Sequence, residues 1–388
     1  MNKFLVPTII LLSFNPWIGS AWNTLDVQPY ILILLLAWAT LNPLRLSGNI
    51  KTFILLLLPG LIVTLLWTNQ YNLFYVIRYF VYICMMLLLF LFYKKIGKNK
   101  LLSRLIFVSN LIWILVGILQ KYISIDIFSF LVRNRTTIGR GVTSLAPEAS
   151  YYGIVLVIFS LIYFYCDIKL PFRSIYMHFI NIVALIFFAS MLSSTIIALP
   201  IYLIGFTKRT TINVKLSYPF VLIGLSSLIF IVFSENFVEF IPTRFASNFF
   251  KLFNFNQFFT FMQYDHSFNE RAMHIFLPLK TSLDHFFLPL GASSFDFLGD
   301  ITFKNYSDLF IYTPSNKIMC WTSEFFYING VFFLPLIYLV SSNIRFHPNF
   351  FRLVLSFFFL LLLPIPLGFP PLIAYYTLLH ITPIKYNL

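Results

Sequence analysis

Residues 133–166 read RNRTTIGRGVTSLAPEASYYGIVLVIFSLIYFYC. The first part of this stretch holds three arginines and one glutamate, whereas residues 149–166 carry no charged side chain. An apolar segment of that length is close to the roughly 20 residues with which an α-helix crosses about 30 Å of hydrocarbon. The stretch therefore predicts a charged loop at a membrane surface that leads directly into a transmembrane helix.

The same pattern recurs along the whole chain. Of its 388 residues, 59% are hydrophobic and only 10% are charged, whereas soluble domains carry about 25% charged residues. We therefore predict an all-α polytopic membrane protein with about 11–12 transmembrane helices, forming a single membrane domain over residues 1–388. The predicted spans are 4–19, 27–44, 52–68, 71–93, 103–120, 149–166, 175–191, 193–206, 216–234, 323–341 and 350–364, with a short twelfth span at 369–381.

The positions of lysine and arginine predict the orientation in the membrane. If the chain starts inside, all the basic residues of the short even-numbered loops face the cytoplasm, as the positive-inside rule requires. The same orientation leaves Asp167 as the only acidic residue inside. The net charge of +14 therefore reflects membrane orientation, and it does not indicate nucleic acid binding. The cytoplasmic cations are Arg45, Lys51, Lys94, Lys95, Lys98, Lys100, Arg104, Lys169, Arg173, Lys208, Arg209, Lys215, Arg345 and Arg352.

Two outer loops are longer than the other connections. The first covers about 121–149, and the second covers about 235–322, which is long enough for a small extracytoplasmic subdomain. Loops of that length in compact proteins are usually functional. Phenylalanines interspersed with Arg244 and Lys251 over 237–261 predict helices that lie in the membrane interface. Such helices form either an apolar lid on the bundle or a platform beside a lipid access path.

The first outer loop is a candidate anion site. Arg133, Arg135 and Arg140 lie within eight residues, and Glu148 comes one residue before the next span. Arginine stays charged and contacts phosphate through two parallel hydrogen bonds, so the cluster predicts diphosphate binding. The alternative for the arginines is that they lie in a solvated loop and touch lipid headgroups. The alternative for Glu148 is that it only caps the start of the helix after Pro147.

Two further arginines lie in exceptional positions. Arg78 is inside a predicted span, where an ionisable residue indicates function unless its side chain snorkels to the interface. Arg271 lies in the middle of the large loop, three residues before His274, so that the two share a face if the segment is helical. Histidine is the usual general base, and His266 in the same loop is a second candidate.

The chain also lacks several familiar catalytic motifs. It contains no Asp-x-Asp pair, no His-Glu-x-x-His, no Walker loop and no Gly-x-Ser-x-Gly. The three cysteines, Cys84, Cys166 and Cys320, are scattered, so they suggest neither a disulfide framework nor a metal site. We therefore expect no metal and no cofactor, and we expect arginines to neutralise any negative charge that develops.

Several segments together resemble the O-antigen polymerase and ligase superfamily. Residues 140–152, RGVTSLAPEASYY, are similar to that family's run of arginine, glutamate, proline, serine and an aromatic residue entering a span. The turn 192–195, LSST, resembles its serine-rich turn between short helices. Residues 269–271 (NER), 289–292 (PLGA) and 323–331 (SEFFYINGV) resemble its second-loop arginine, the segment beyond it and the start of its next helix. The motif similarity covers about a quarter of the chain.

Two departures from the family pattern bear on the choice within it. Ala149 stands where the family usually has proline. The ligase branch carries a His-Asn pair before the span that follows the large loop, and here the region 319–323 reads MCWTS. The resemblance therefore favours a polymerase over a ligase. A transporter or flippase of lipid-linked oligosaccharides remains the alternative from another functional class.

The resemblance implies a C-type membrane glycosyltransferase that needs no cofactor. It would act on undecaprenyl-diphosphate-linked glycans, as donor and acceptor, at the periplasmic face of the bacterial inner membrane. A chain-length regulator protein is an implied partner. Arg140 and Arg271 would hold the diphosphate, with Arg135 or Arg78 as a third contact and with Arg133 and Arg244 nearby. Glu148 would orient Arg140, because a carboxylate beside arginines is stabilised as an anion and makes a weak base. His274 or His266 would take the proton.

The predicted orientation can be tested by chemical labelling. Cysteines introduced at Asn134 and Ser267 should react with a membrane-impermeant maleimide in whole cells, because both positions fall in outer loops. Labelling that requires rupture of the inner membrane would contradict the orientation and, with it, the function implied by the resemblance.

Overall fold

The computed structural model describes residues 2–22, 29–44, 47–67, 73–133, 135, 141–166, 168, 174–188, 266–307, 310, 318–335, 365–366 and 368–381. Within these residues the regular structure is helical, without a strand. The helices are α1 (Asn2–Phe14), α2 (Tyr30–Leu41), α3 (Gly48–Trp67), α4 (Leu73–Ile96), α5 (Lys100–Tyr122), α6 (Ala149–Tyr165), α7 (Ser174–Phe187), α8 (His266–Asp284), α9 (Phe295–Lys304), α10 (Trp321–Asn329) and α11 (Pro370–His380). Short 3-10 turns occupy Ser20–Trp22, Ala292–Ser294 and Gly330–Phe332.

Three of the described helices are long and apolar enough to cross a membrane. They contain the segments Gly48–Leu66, Val76–Ile96 and Lys100–Tyr122. Shorter apolar helices accompany them, at Lys3–Phe14, Tyr30–Leu41, Ala149–Tyr165 and Tyr176–Leu185. The prediction of an all-helical protein with apolar helices long enough to span a membrane is confirmed for the described residues. The predicted number of about 11–12 spans stays a prediction. The predicted spans 193–206, 216–234 and 350–364 and the phenylalanine-rich segment 237–261 lie outside the described residues.

Helix α6 is the centre of the bundle. Every residue from Tyr152 to Tyr163 is buried, and the helix packs against α5, α7 and α11. Its side chains are apolar on all faces, as expected for a helix surrounded by other helices. Gly117 of α5 lets the two helices approach closely, because a Cβ atom there would lie 2.6 Å from the Tyr152 hydroxyl. The position of α6 is therefore tightly determined.

The first predicted span is shorter than the sequence suggested. Helix α1 ends at Phe14, whereas the apolar pattern predicted a helix over 4–19. The reason is Pro16, which disfavours the helical conformation of the residue before it. Asn15 is buried at this bend, where its side-chain amide donates to the Leu11 carbonyl at 2.7 Å. The following turn is then held by the Gly19 amide, which donates to the Leu131 carbonyl at 2.7 Å.

The predicted span over 323–341 is interrupted near its start. Helix α10 ends at Asn329, because Gly330 has a φ of 55° and leads into a 3-10 turn. The turn that follows α8 lies directly against this break, and the Val331 amide donates to the Phe287 carbonyl at 2.7 Å. Helix α8 packs along α10. The described part of the predicted large outer loop is thus helical and packed on the bundle.

Gly330 is therefore expected to be indispensable for stability. A Cβ atom at this position would lie 2.2 Å from the Phe287 carbonyl oxygen, in addition to the unfavourable positive φ. Gly97 has a φ of 62° with open space around it, and Gly48 also has open space. We expect Gly97→Ala to cost about 1 kcal/mol, Gly330→Ala to cost a further 1–3 kcal/mol or so from overpacking, and Gly48→Ala to be neutral.

The thermal denaturation midpoints of the three purified variants in one detergent measure this series. Equal midpoints for the Gly330 and Gly97 variants would show that the contact with Phe287 does not constrain the fold.

Candidate functional site: two ion pairs beside a cleft

The loop that precedes α6 is buried and held by one glutamine. Gln120 of α5 accepts a hydrogen bond from the Ser144 amide at 2.6 Å and donates one to the Ser144 carbonyl at 3.1 Å. Ser144 adopts a positive φ of 52°, and its hydroxyl donates to the Trp113 carbonyl at 2.6 Å. Residues 142–147 are all buried. Residues 142–147, directly before Glu148, are therefore a fixed part of the core.

Glu148 occupies the N-cap position of α6 without capping the helix through its side chain. Its carboxylate accepts a hydrogen bond from the Ser150 hydroxyl at 3.1 Å and lies 3.9 Å from the guanidinium of Arg271. The alternative of a simple cap therefore does not describe its geometry. The carboxylate is 40% exposed and the arginine side chain 17%. A helix and a turn that are far apart in the sequence, α8 and the residues before α6, thus bring an arginine and a carboxylate together at the start of α6.

A second ion pair lies inside the bundle. Arg78 is the sixth residue of α4, about 8 Å along the helix from its first residue. Its guanidinium lies 3.3 Å from the carboxylate of Glu324, in the first turn of α10. The Glu324 side chain is only 5% exposed, and the arginine side chain is 19% exposed. The Arg78 side chain is therefore directed to a buried carboxylate.

The buried ion pair borders a small, partly open cleft of about 20 Å³, which is room for about one water molecule. The cleft is lined by Arg78, Tyr82, Tyr151, Ile318, Met319, Glu324 and Pro366. Its lining mixes one cation, one anion and aromatic rings with apolar side chains. The cleft thus places the buried ion pair beside aromatic and apolar side chains.

The elements that carry the two ion pairs are connected by hydrogen bonds. Tyr151, which lines the cleft, lies three residues after Glu148, and its amide donates to the Glu148 carbonyl at 3.1 Å. Ser323, which precedes Glu324, donates its hydroxyl to the Ile275 carbonyl at 3.3 Å, one helical turn beyond Arg271. Elements that carry one ion pair therefore contact elements that carry the other.

The arginines of the first outer loop divide into two groups. Arg133 and Arg135 are exposed, and the Arg135 amide donates to the Pro147 carbonyl at 2.8 Å. This bond places the backbone of Arg135 beside the turn that carries Glu148, as the prediction of a shared anion site requires. Arg140 and Arg244 lie outside the described residues. The predicted contact of Glu148 with Arg140 therefore stays a prediction, and the contact that the structure describes is with Arg271.

The two candidate histidines are both in α8. His266 is its first residue, and the His266 side chain lies outside the described part of the chain. His274 shares the helix with Arg271 as predicted, but its side chain is only 1% exposed, and it does not belong to the lining of the cleft. The assignment of the base to either histidine remains a prediction.

Glu324 is the residue that sequence reasoning missed. The sequence places it at the start of a predicted span, where an acidic residue commonly complements the helix dipole and so gives no sign of a distant partner. Arg78 and Glu324 are 246 positions apart, so no local pattern links them. The available signal was Arg78 itself, because an arginine inside a span needs an anionic or carbonyl partner.

Among the described residues, no group of three or more histidine, cysteine or acidic side chains is arranged to hold a metal ion. The positive charges at the cleft come from Arg78 and, in the neighbouring ion pair, from Arg271. Guanidinium groups bind phosphate oxygens in pairs of parallel hydrogen bonds. The arrangement is therefore suited to an anionic ligand with more than one oxygen.

Comparison of the whole chain with protein-family models, with curated proteins and with solved structures found no match.

The two ion pairs should differ strongly in their contribution to stability. Arg78→Leu leaves the buried Glu324 carboxylate without the cation 3.3 Å away, which we expect to cost about 3–5 kcal/mol. Arg78→Leu combined with Glu324→Leu should restore most of that loss, because both charges are removed. Glu148→Gln should cost less than about 1 kcal/mol, because its pair with Arg271 is partly exposed.

Thermal denaturation of the four purified proteins, wild type included, provides the measurement. If the double leucine variant is as unstable as Arg78→Leu alone, the loss of stability does not come from leaving the Glu324 carboxylate without Arg78.

Proposed function

We propose that this membrane protein is a polymerase that joins undecaprenyl-diphosphate-linked oligosaccharide units into a surface polysaccharide, such as an O-antigen, a capsule or an exopolysaccharide. The reaction would take place at the periplasmic face of the bacterial inner membrane. The observation that carries the proposal is the meeting of Arg271 and Glu148 beside the cleft that contains Arg78. The resemblance in sequence covers Arg271 and Glu148, and Arg78 was singled out by its position inside a predicted span.

The chemistry of glycosyl transfer from a lipid diphosphate matches this set of side chains. The bond between the anomeric carbon and the diphosphate breaks, and negative charge accumulates on the leaving phosphate. Fixed guanidinium groups stabilise such charge most when water is excluded. Arg78 and Arg271 are both less than one fifth exposed, so they are already largely desolvated. Their carboxylate partners keep each cation oriented while the site is empty.

The surroundings of the cleft suit a substrate with a lipid tail. Large hydrophobic side chains are exposed on helices next to the site, which is expected where helices face lipid acyl chains. Examples are Leu73 and Ile77 on α4, with relative exposures of 65% and 52%. A polyprenyl chain that lies against this face would bring its diphosphate to the level of Arg78. The glycan would then extend from the outer end of the bundle.

Arg271 is expected to be required for polymer formation. Arg271→Ala removes a charge-assisted contact to phosphate worth roughly 1.5–3 kcal/mol, which corresponds to an activity loss of about tenfold to more than a hundredfold. Arg271→Lys should rescue poorly, because a lysine cannot form the paired hydrogen bonds. Lys280→Ala is the matched control, since Lys280 lies on the same helix, pairs with Asp284 and does not line the cleft.

The test is complementation of a deletion strain, with the surface glycan separated on a gel and the protein level measured by immunoblot. We expect a ladder from the wild type and from Lys280→Ala, and a single-unit band from Arg271→Ala. A full ladder from Arg271→Ala at normal protein level would exclude this arginine from the mechanism. A deletion strain with an unchanged glycan would reject the polymerase function, and complete loss of attached glycan would favour a ligase or a flippase.

A further inference from the structure

Glu324 is a buried carboxylate whose role is not accounted for by phosphate binding. Its side chain is 5% exposed, lies 3.3 Å from the Arg78 guanidinium and forms part of the cleft wall. Removing two charges from water is expensive, and a buried ion pair is often no more stabilising than apolar side chains of similar size. An ion pair within a membrane-embedded bundle therefore indicates a functional demand on the charges.

The geometry of the pair permits Arg78 to exchange the Glu324 carboxylate for another anion. The contact of 3.3 Å is longer than the 2.7–2.9 Å or so of a strong charge-assisted hydrogen bond. A diphosphate carries more negative charge than a carboxylate and offers several oxygens to one guanidinium. A lipid diphosphate at the mouth of the cleft would therefore compete with Glu324 for Arg78. The carboxylate then stands beside phosphate oxygens with its cation engaged elsewhere.

On the basis of the proposed function, we propose that Glu324 is the proton acceptor of the transfer reaction and that the incoming lipid diphosphate releases it from Arg78. A carboxylate that loses its cation and faces a second anion gains affinity for a proton. In this proposal the bound donor itself favours transfer of a proton to the Glu324 carboxylate.

The proposed step is balanced in atoms and charge. The acceptor sugar hydroxyl gives its proton to the Glu324 carboxylate, and its oxygen forms a bond to the anomeric carbon of the donor. The bond between that carbon and the diphosphate oxygen breaks, and its electron pair leaves with the diphosphate on Arg78. The proton on Glu324 then passes to water or to the departing diphosphate, and the carboxylate returns to Arg78.

The other candidate bases fit the cleft less well. Glu148 is 40% exposed, and it is stabilised as an anion by Arg271 and by the Ser150 hydroxyl. His274 is 1% exposed within the packed interior and does not line the cleft. Glu324 is the carboxylate that combines burial, a place in the cleft wall and contact with a phosphate-binding arginine.

The experiment separates binding from turnover in the full-length protein, reconstituted in lipid nanodiscs. Turnover is measured with lipid-linked single units extracted from the deletion strain, and binding is measured with undecaprenyl diphosphate as the probe. Glu324→Gln should lower turnover by about 10²–10⁴-fold, the usual contribution of a general base. It should bind undecaprenyl diphosphate no more weakly than the wild type, because the competing negative charge is gone.

Two further variants complete the design. Arg78→Ala should weaken binding of the probe by at least about tenfold. Asp300→Asn is the matched control, since Asp300 is an exposed carboxylate on α9 and should leave both measurements unchanged. If Glu324→Gln does not accumulate, Glu324→Asp replaces it. The shorter carboxylate should keep binding intact and slow turnover, because it reaches the acceptor hydroxyl less well.

Each result decides the role of Glu324. Normal turnover in the glutamine variant, or in the aspartate variant if that replaces it, overturns the proposal, and so does a loss of turnover accompanied by weaker probe binding. In both of these cases the proposed function still holds if the wild-type protein forms polymer and Arg271→Ala does not. Absence of any polymer from the wild-type protein and its lipid-linked units contradicts the proposed function itself.

Discussion

The burial of helix α6 on every side is the constraint on which the other features of this structure depend. A helix that packs against α5, α7 and α11 cannot rotate or slide without creating clashes or cavities in a densely packed interior. Its entry is fixed as well, because Gln120 binds both backbone groups of Ser144. The directions of Glu148 and Tyr151 at the start of α6 follow from these two restraints. The cleft therefore has one wall that is set by the core of the protein.

The charges in and near the cleft are balanced in pairs. Arg78 faces Glu324, and Arg271 faces Glu148, so neither cation contributes a large unbalanced charge to an apolar environment. Such pairing lowers the cost of keeping guanidinium groups desolvated. It also keeps each arginine in a defined direction before a ligand arrives. The difference in exposure between the two carboxylates, 5% and 40%, gives the pairs different strengths and accessibility.

Much of the fold was predictable from the sequence because hydropathy is a local property. The spans that became α3, α4, α5 and α6 were located to within a few residues, since uninterrupted apolar runs leave little choice in a membrane. The errors arose where a single residue overrides composition. Pro16 ends α1 early, and Gly330 breaks the span that begins with α10.

The candidate site was predictable only in part, because its contacts are not local. Arg271 and Glu148 were singled out by residue type and by resemblance, but their ion pair joins two segments that are distant in the sequence. Glu324 could not be matched to Arg78 from the sequence, since only the packing of α10 against the bundle brings the two together. Gln120 was missed for a similar reason, because a polar residue near the end of a span usually marks the interface.

The separation of Arg78 and Glu324 by 246 positions has a consequence for the synthesis of the protein. At roughly 5–20 residues per second, α10 emerges on the order of 10–50 s after α4 has left the ribosome. Throughout that interval Arg78 must be accommodated by the insertion machinery, by the lipid interface or by neighbouring helices, because its permanent counter-ion has not been made. Closure of the ion pair is thus a late step in biogenesis. A chain that stops before α10 carries an uncompensated charge in the bilayer, which is the kind of defect that membrane quality control recognises.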